Sequence, residues 1–249
     1  MTHSWNMTTA ALAITAATAL AGGAQAATLF DFTDSNVWSG SELSATTSDT
    51  IGGLTVDLSS NPADSLNFTA FDGPLNADNG EFCQSKGGPL ACDNDGVGVQ
   101  DGGDNDDEIS GIDPDATPPD QSITVEFSAP VNVLDIHFLD LFFLPGDDPE
   151  PEDQERAIIY ANGDRGNEVS FIAVEGFATD GGYGFFANPF GNLNISSLTF
   201  TADFGNDGQG DPDYALAAIS VSQIPLPAAG WLLLAGIGGL GAFRRFRKT

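Results

Sequence analysis

Residues 198–204 read Leu-Thr-Phe-Thr-Ala-Asp-Phe. Apolar Leu198, Phe200, Ala202 and Phe204 alternate with polar residues, which is the period of an extended strand with one face buried and one wet. Working outward, the same alternation recurs. Leu54, Val56 and Leu58 show it around Thr55 and Asp57; Leu66, Phe68 and Ala70 follow; then come Ile123, Val125 and Phe127, and finally Ala215, Ala217, Ile219 and Val221. Residues 29–32, 131–143, 157–160 and 169–174 supply further candidates. About nine short strands punctuated by Gly, Asn, Asp and Pro predict an all-β fold. A β-sandwich is expected, jelly-roll-like, with phenylalanines between its sheets. A barrel is the alternative, although an outer-membrane barrel needs longer strands than most of these. No stretch shows the 3.6-residue period of a surface helix.

Charge narrows the functions open to such a fold. The 249 residues carry 36 Asp and Glu against 7 Lys and Arg, a formal charge of -29. Four of the basic residues lie in the last six positions, and no acid lies before residue 27 or after Asp213. Residues 27–224 therefore set Lys86, Arg156 and Arg165 against all 36 acids, a charge of -33. Phosphate backbones are repelled by such a surface, so nucleic acid is excluded as a partner. A hydrophobic share of 41% with 18 Phe is enough for a core, so wholesale disorder is not expected.

Residues 72–120 carry almost no strand pattern, and an insertion of that length in a compact domain is functional or disordered. It holds the two cysteines, Cys83 and Cys92. Their eight-residue separation is not a CxxC redox pair. In an exported chain it reads as a disulfide, worth about 2–3 kcal/mol in the loop-entropy picture. Asp93, Asp95, Asp101, Asp104, Asp106 and Glu108 belong to a run of nine acids in 23 residues with glycines between them. Such hard oxygen ligands suit calcium, provided the backbone turns sharply, as Gly96, Gly102 and Gly103 permit. The spacing is not that of an EF-hand, and a solvated acidic loop accounts for the same residues. The acidic run at 147–155, with prolines and no glycine between its carboxylates, reads as a solvated loop.

Catalytic constellations are thin. His137 is the only histidine beyond His3; neither a G-x-S-x-G elbow nor a zinc set accompanies it, so an ordinary strand role is expected. Phe185, Phe186 and Phe190 beside Tyr183 could line a shallow site, but core packing is the simpler expectation. No catalytic residue is assigned, and a non-enzymatic protein is expected.

The two ends read as addresses. Residues 10–23 are small and apolar and lead into Ala24-Gln25-Ala26, an A-x-A pattern, so residues 1–26 are expected to be a cleaved signal peptide. At the other end, Ile224-Pro225-Leu226-Pro227-Ala228 precedes a glycine- and leucine-rich apolar run ending at Phe243. Arg244, Arg245, Arg247 and Lys248 follow. The 16 apolar residues of 228–243 make about 24 Å of helix, short of a hydrocarbon core of about 30 Å, so the transmembrane anchor would be marginal. Its basic end would stay cytoplasmic.

This order of motif, span and basic tail resembles the PEP-CTERM class of bacterial sorting signals, most closely the VPLPA-CTERM variant. The resemblance covers the last 26 residues, and part of the body is similar in pattern to uncharacterised members. It implies recognition by an exosortase-type membrane protease, with Pro225, Leu226, Pro227 and Ala228 as the sorting motif. It also implies a transient membrane anchor and delivery to the surface or exopolysaccharide matrix of a Gram-negative bacterium. The expected organisation is a signal peptide at 1–26, a secreted domain at 27–223 with its acidic insertion, and a sorting signal at 224–249. A calcium-dependent carbohydrate-binding module is the alternative function.

Overall fold

The computed structural model describes residues 26–38, 40–41, 44–61, 65–68, 90–100, 108–110, 121–141, 154–173, 182–202 and 213–224. Residues Ala27–Gln223 make one compact unit. The signal peptide, the sorting motif, the apolar span and the basic tail lie outside the described residues.

Among the described residues there are twelve strands and no helix. They are β1 (Thr28–Asp31), β2 (Gly40–Ser41), β3 (Thr46–Ile51), β4 (Leu54–Asn61), β5 (Ser65–Phe68), β6 (Gly98–Gln100), β7 (Ser122–Leu139), β8 (Arg156–Ala161), β9 (Asp164–Ile172), β10 (Gly184–Ala187), β11 (Ile195–Ala202) and β12 (Ala215–Gln223). Every strand pairing among them is antiparallel. The chain is all-β.

β7 organises the whole. Sequence predicts two strands here, at 123–127 and within 131–143; the structure joins them into one of 18 residues. Its first half, through Phe127, lies between β4 and β11. Its second half, from Val131, lies between β12 and β10. Between them Ser128, Ala129 and Pro130 are all exposed, which interrupts the alternation of burial. Pro130 has no N–H to give to a ladder, so the strand changes neighbours where its pairing is weakest. The described pairings make one nine-stranded sheet with two parts, or layers: β3-β4-β7-β11-β8-β9 along the first half of β7 and β1-β12-β7-β10 along the second. A strand passing from one layer to the next is a known way of turning a sheet corner.

Rings fill the space between the layers. Phe138 of β7 lies 5.5 Å from Phe171 of β9, and Phe171 lies 5.1 Å from Phe186 of β10. Phe30 of β1 meets Phe127 of β7 at 6.2 Å. Ile123, Val125, Leu198 and Phe200 are fully buried beside them, and each such side chain contributes about 1.5–3 kcal/mol by leaving water. The packing is consistent with a β-sandwich. The separate sheet β2-β5-β6 is tied on by Trp38, whose ring lies 5.3 Å from Phe32 and 5.4 Å from Phe68.

Four shorter strands depart from the sequence expectation, among them the two-residue β2. β6 lies inside the segment expected to be free of strands, and β10 lies where Gly181-Gly182 and Asn188-Pro189 suggest a loop. β3 is Thr-Thr-Ser-Asp-Thr-Ile, polar on both faces, and forms because it closes a hairpin with β4.

Candidate functional site

The acidic segment begins on a fixed footing. The Asp31 carboxylate accepts hydrogen bonds from the Thr33 N–H at 3.0 Å and Thr33 Oγ1 at 2.6 Å. It also accepts from the Ala91 N–H at 2.7 Å. The Cys92 N–H donates to Thr33 Oγ1, and the N–H groups of Asp93 and Asn94 both donate to the Thr33 carbonyl. Burial nevertheless keeps the Asp31 pKa above the usual carboxylate value, outweighing these donors. Gly96 then crosses the start of β12 so closely that a Cβ there would sit 2.5 Å from the Leu216 carbonyl oxygen, and its φ is +111°. Only glycine fits.

Of the expected calcium ligands, Asp93 is exposed and accepts from Ser35 Oγ at 3.0 Å, while Asp95 is buried. Glu108 is half-buried, and its carbonyl accepts the Val99 N–H. Asp101, Asp104 and Asp106 lie outside the described residues. Among the described residues no three metal-capable side chains come together. Asp93 and Asp95 thus start in different environments, and a cage would have to be completed by the acids that follow. Cys92 is not a free thiol; Cys83 lies outside the described residues.

His137 sits on the second half of β7, buried, with Nδ1 2.9 Å from the Tyr183 hydroxyl. Burial lowers its pKa to about 4, and burial followed by the charge of Asp135 raises that of Tyr183. Phe185 lies 5.1 Å from the imidazole ring and is 46% exposed, against the expectation that it would be core. Phe186 and Phe190 do pack on the core. A neutral imidazole held by a phenol and roofed by rings is a packing element with one satisfied polar edge.

No single stretch of sequence marks out the outer face of the larger layer. Alternation sends Leu58, Val125, Leu198 and Ile159 inward, so their neighbours face out. Register then lines up one residue from each of six strands. Thr46 is opposite Ser59, Ser59 opposite Thr124, Thr124 opposite Thr199, Thr199 opposite Tyr160, and Tyr160 opposite Glu168. With strands about 4.8 Å apart, the row spans about 24 Å. A second row runs Asn61, Ser122, Thr201, Ile158 and Ser170. Thr199, Tyr160 and Glu168 of the first row and Asn61, Ser122, Thr201 and Ile158 of the second line an open groove of about 560 Å³, while Thr46 and Ser59 line a separate one. The hydroxyls of the two rows are partly spoken for within the sheet. Thr124 Oγ1 and Thr199 Oγ1 lie 3.2 Å apart, and Thr201 Oγ1 donates to the Gln121 carbonyl at 3.0 Å.

At one end of the groove the Arg165 guanidinium lies 5.1 Å over the Tyr160 ring. The β8–β9 turn places it there. Asn162 and Gly163 both have positive φ, 57° and 67°, the geometry of a tight hairpin turn that Asn-Gly favours. The Asn162 side chain further accepts from the Ser196 N–H at 2.7 Å and donates to the Asn194 carbonyl at 3.0 Å, fixing the turn to β11. At the other end of the layer Asp57 stands opposite Glu126, both exposed, beside a smaller groove of about 280 Å³.

No protein-family model matches the chain, and no curated protein matches it significantly.

Proposed function

We propose that the chain is an exported, non-enzymatic protein of the bacterial cell surface or exopolysaccharide matrix, carried there by an exosortase-type sorting protease. One observation carries the reading: the order of Pro225-Leu226-Pro227-Ala228, an apolar span and the Arg244, Arg245, Arg247 and Lys248 tail. A span of marginal length suits a precursor that is held in the membrane for a time and then cut. The all-β body, consistent with a β-sandwich, supports it; a jelly-roll-like connectivity and a Cys83–Cys92 bridge are part of the same proposal. His137, the obvious candidate base, is engaged with Tyr183, which favours a binding or structural role over hydrolysis.

The test follows from the two parts of the tail. Changing Pro225, Leu226 and Pro227 to alanine leaves the apolar span in place, so membrane insertion persists while processing stops. The variant accumulates in the membrane fraction at precursor mass. Release as efficient as that of the unaltered chain would remove the sorting motif and leave a plain anchor.

A second reading is a calcium-dependent carbohydrate-binding module. The pinning of residues 91–94 to Thr33 and Asp31 favours it, because a ligand loop that starts from a fixed point loses less entropy on closing around an ion.

A further inference from the structure

We infer that the outer face of the β3-β4-β7-β11-β8-β9 layer binds an uncharged polysaccharide chain, laid across the strands along the row Thr46, Ser59, Thr124, Thr199, Tyr160 and Glu168. The inference deepens the matrix reading and rests on it for the class of partner met; the contact itself is argued from the layer.

The chemistry of the face selects the occupant. Protein interfaces bury an apolar, aromatic-rich centre, whereas this groove offers hydroxyls and an amide from Asn61, Ser122, Thr199 and Thr201, with Ile158 as its aliphatic side chain. Sugars present the complementary surface: many hydroxyls that both donate and accept, around rings with weakly apolar faces. Charge selects further. Within the groove Arg165 and Glu168 offset one another, while the domain as a whole carries -33. An acidic polysaccharide is repelled by the domain and meets one guanidinium; a neutral one meets no such opposition.

Geometry adds register. Adjacent strands are about 4.8 Å apart, close to the length of one sugar unit in an extended chain. A glycan crossing the strands therefore meets one hydrogen-bonding side chain per sugar, over six strands. The row is also pre-formed. Its side chains stand on sheet backbone rather than on loops, the Thr124–Thr199 contact orients two hydroxyls, and the Arg165 contact holds the Tyr160 ring. Such preorganisation lowers the entropy lost on binding. The acidic segment takes no part, so binding does not require calcium.

The test is affinity electrophoresis of the purified full chain in detergent through gels containing hydroxyethyl cellulose, dextran or alginate, all with EDTA present. Retardation by a neutral polymer and not by alginate is expected. Thr124→Val with Thr199→Val keeps β-branched residues at both sites while deleting two hydroxyls, and should weaken the retardation by about tenfold. Arg165→Gln, at an exposed position, should weaken it while lowering the melting temperature by no more than about 1–4 °C. Binding to neither neutral polymer, stronger binding to alginate, or retention unaltered in both variants overturns the proposal. Sorting is read in cells and this contact on purified protein, so either can fail while the other stands.

Discussion

His137 shows how much one side chain's surroundings decide. Burial holds its folded-state pKa near 4, against about 6.5 in an unfolded chain. Between those values the unfolded chain takes up a proton that the folded chain refuses. Stability therefore falls as pH drops from about 6.5 to about 4 and levels off below, at a total cost of about 3 kcal/mol. Asp135, two residues earlier on the same strand, acts in the opposite sense, because burial raises its pKa and the folded form is protonated first as pH falls. Urea midpoints at pH 7, 5.5 and 4.5 should fall in that order. His137→Gln should flatten the series while Asp135→Asn should steepen it near pH 4. An unchanged slope in the glutamine variant would mean that the imidazole titrates normally in the folded chain.

Among the strands, the pairing of β4 with β7 carries a defect. Asp57 and Glu126 are directly opposite on the exposed face, and like charges in that position destabilise a sheet by a few tenths to about 1 kcal/mol. Asp57→Asn should therefore raise the melting temperature by about 1–3 °C at low salt, with the gain shrinking as salt is added. Calorimetry at two ionic strengths reads both effects; a loss of stability would mean that the carboxylate is engaged more usefully than its register implies. How far such elements are legible in sequence depends on their faces. β4, β8 and β11 are readable because one face is more buried than the other, and β12 from its apolar run, although both of its faces are buried from Ala215 to Ile219. β3 escapes because Thr47 and Asp49 occupy its inward positions, although the Gly52-Gly53 turn behind it, with φ of 61° and 80°, is a hairpin signal. Asn162-Gly163 is the same kind of signal, and it would have extended β9 back to Asp164 and drawn Arg165 towards the face. The row itself is not legible. It joins residues 46, 59, 124, 199, 160 and 168, and only register between strands far apart in the chain brings them into line.

Across the whole molecule the governing quantity is charge. A formal -29 means that any cation stabilises the folded chain to some degree by screening. Calcium held by Asp93, Asp95, Asp101, Asp104, Asp106 and Glu108 would do more, by about 2.7 kcal/mol at a hundredfold excess over Kd, or about 5–10 °C in Tm. Melting the chain in EDTA, then with calcium, magnesium and sodium chloride at matched ionic strength, separates the two. A calcium shift well above the magnesium and sodium shifts is expected from the second reading; equal shifts would leave the acidic segment as a solvated loop. The domain's polar exterior and apolar interior were both legible in composition. Where the acids would be held was not, because the anchor at Asp31 and Thr33 lies about 60 residues away from the segment it fixes.

β7 belongs to both layers, and that has a mechanical meaning. A sandwich whose layers share only side-chain contacts can be pried open like a book; here the spine is covalent. If a polymer drags on the outer face at Ser122, Thr124 or Glu126, the load passes along one continuous backbone to Ile136 and Phe138, in the part of β7 that belongs to the opposite layer. The layers must therefore yield together or hold together, so a tug on one side is shared by the whole body before any single ladder breaks.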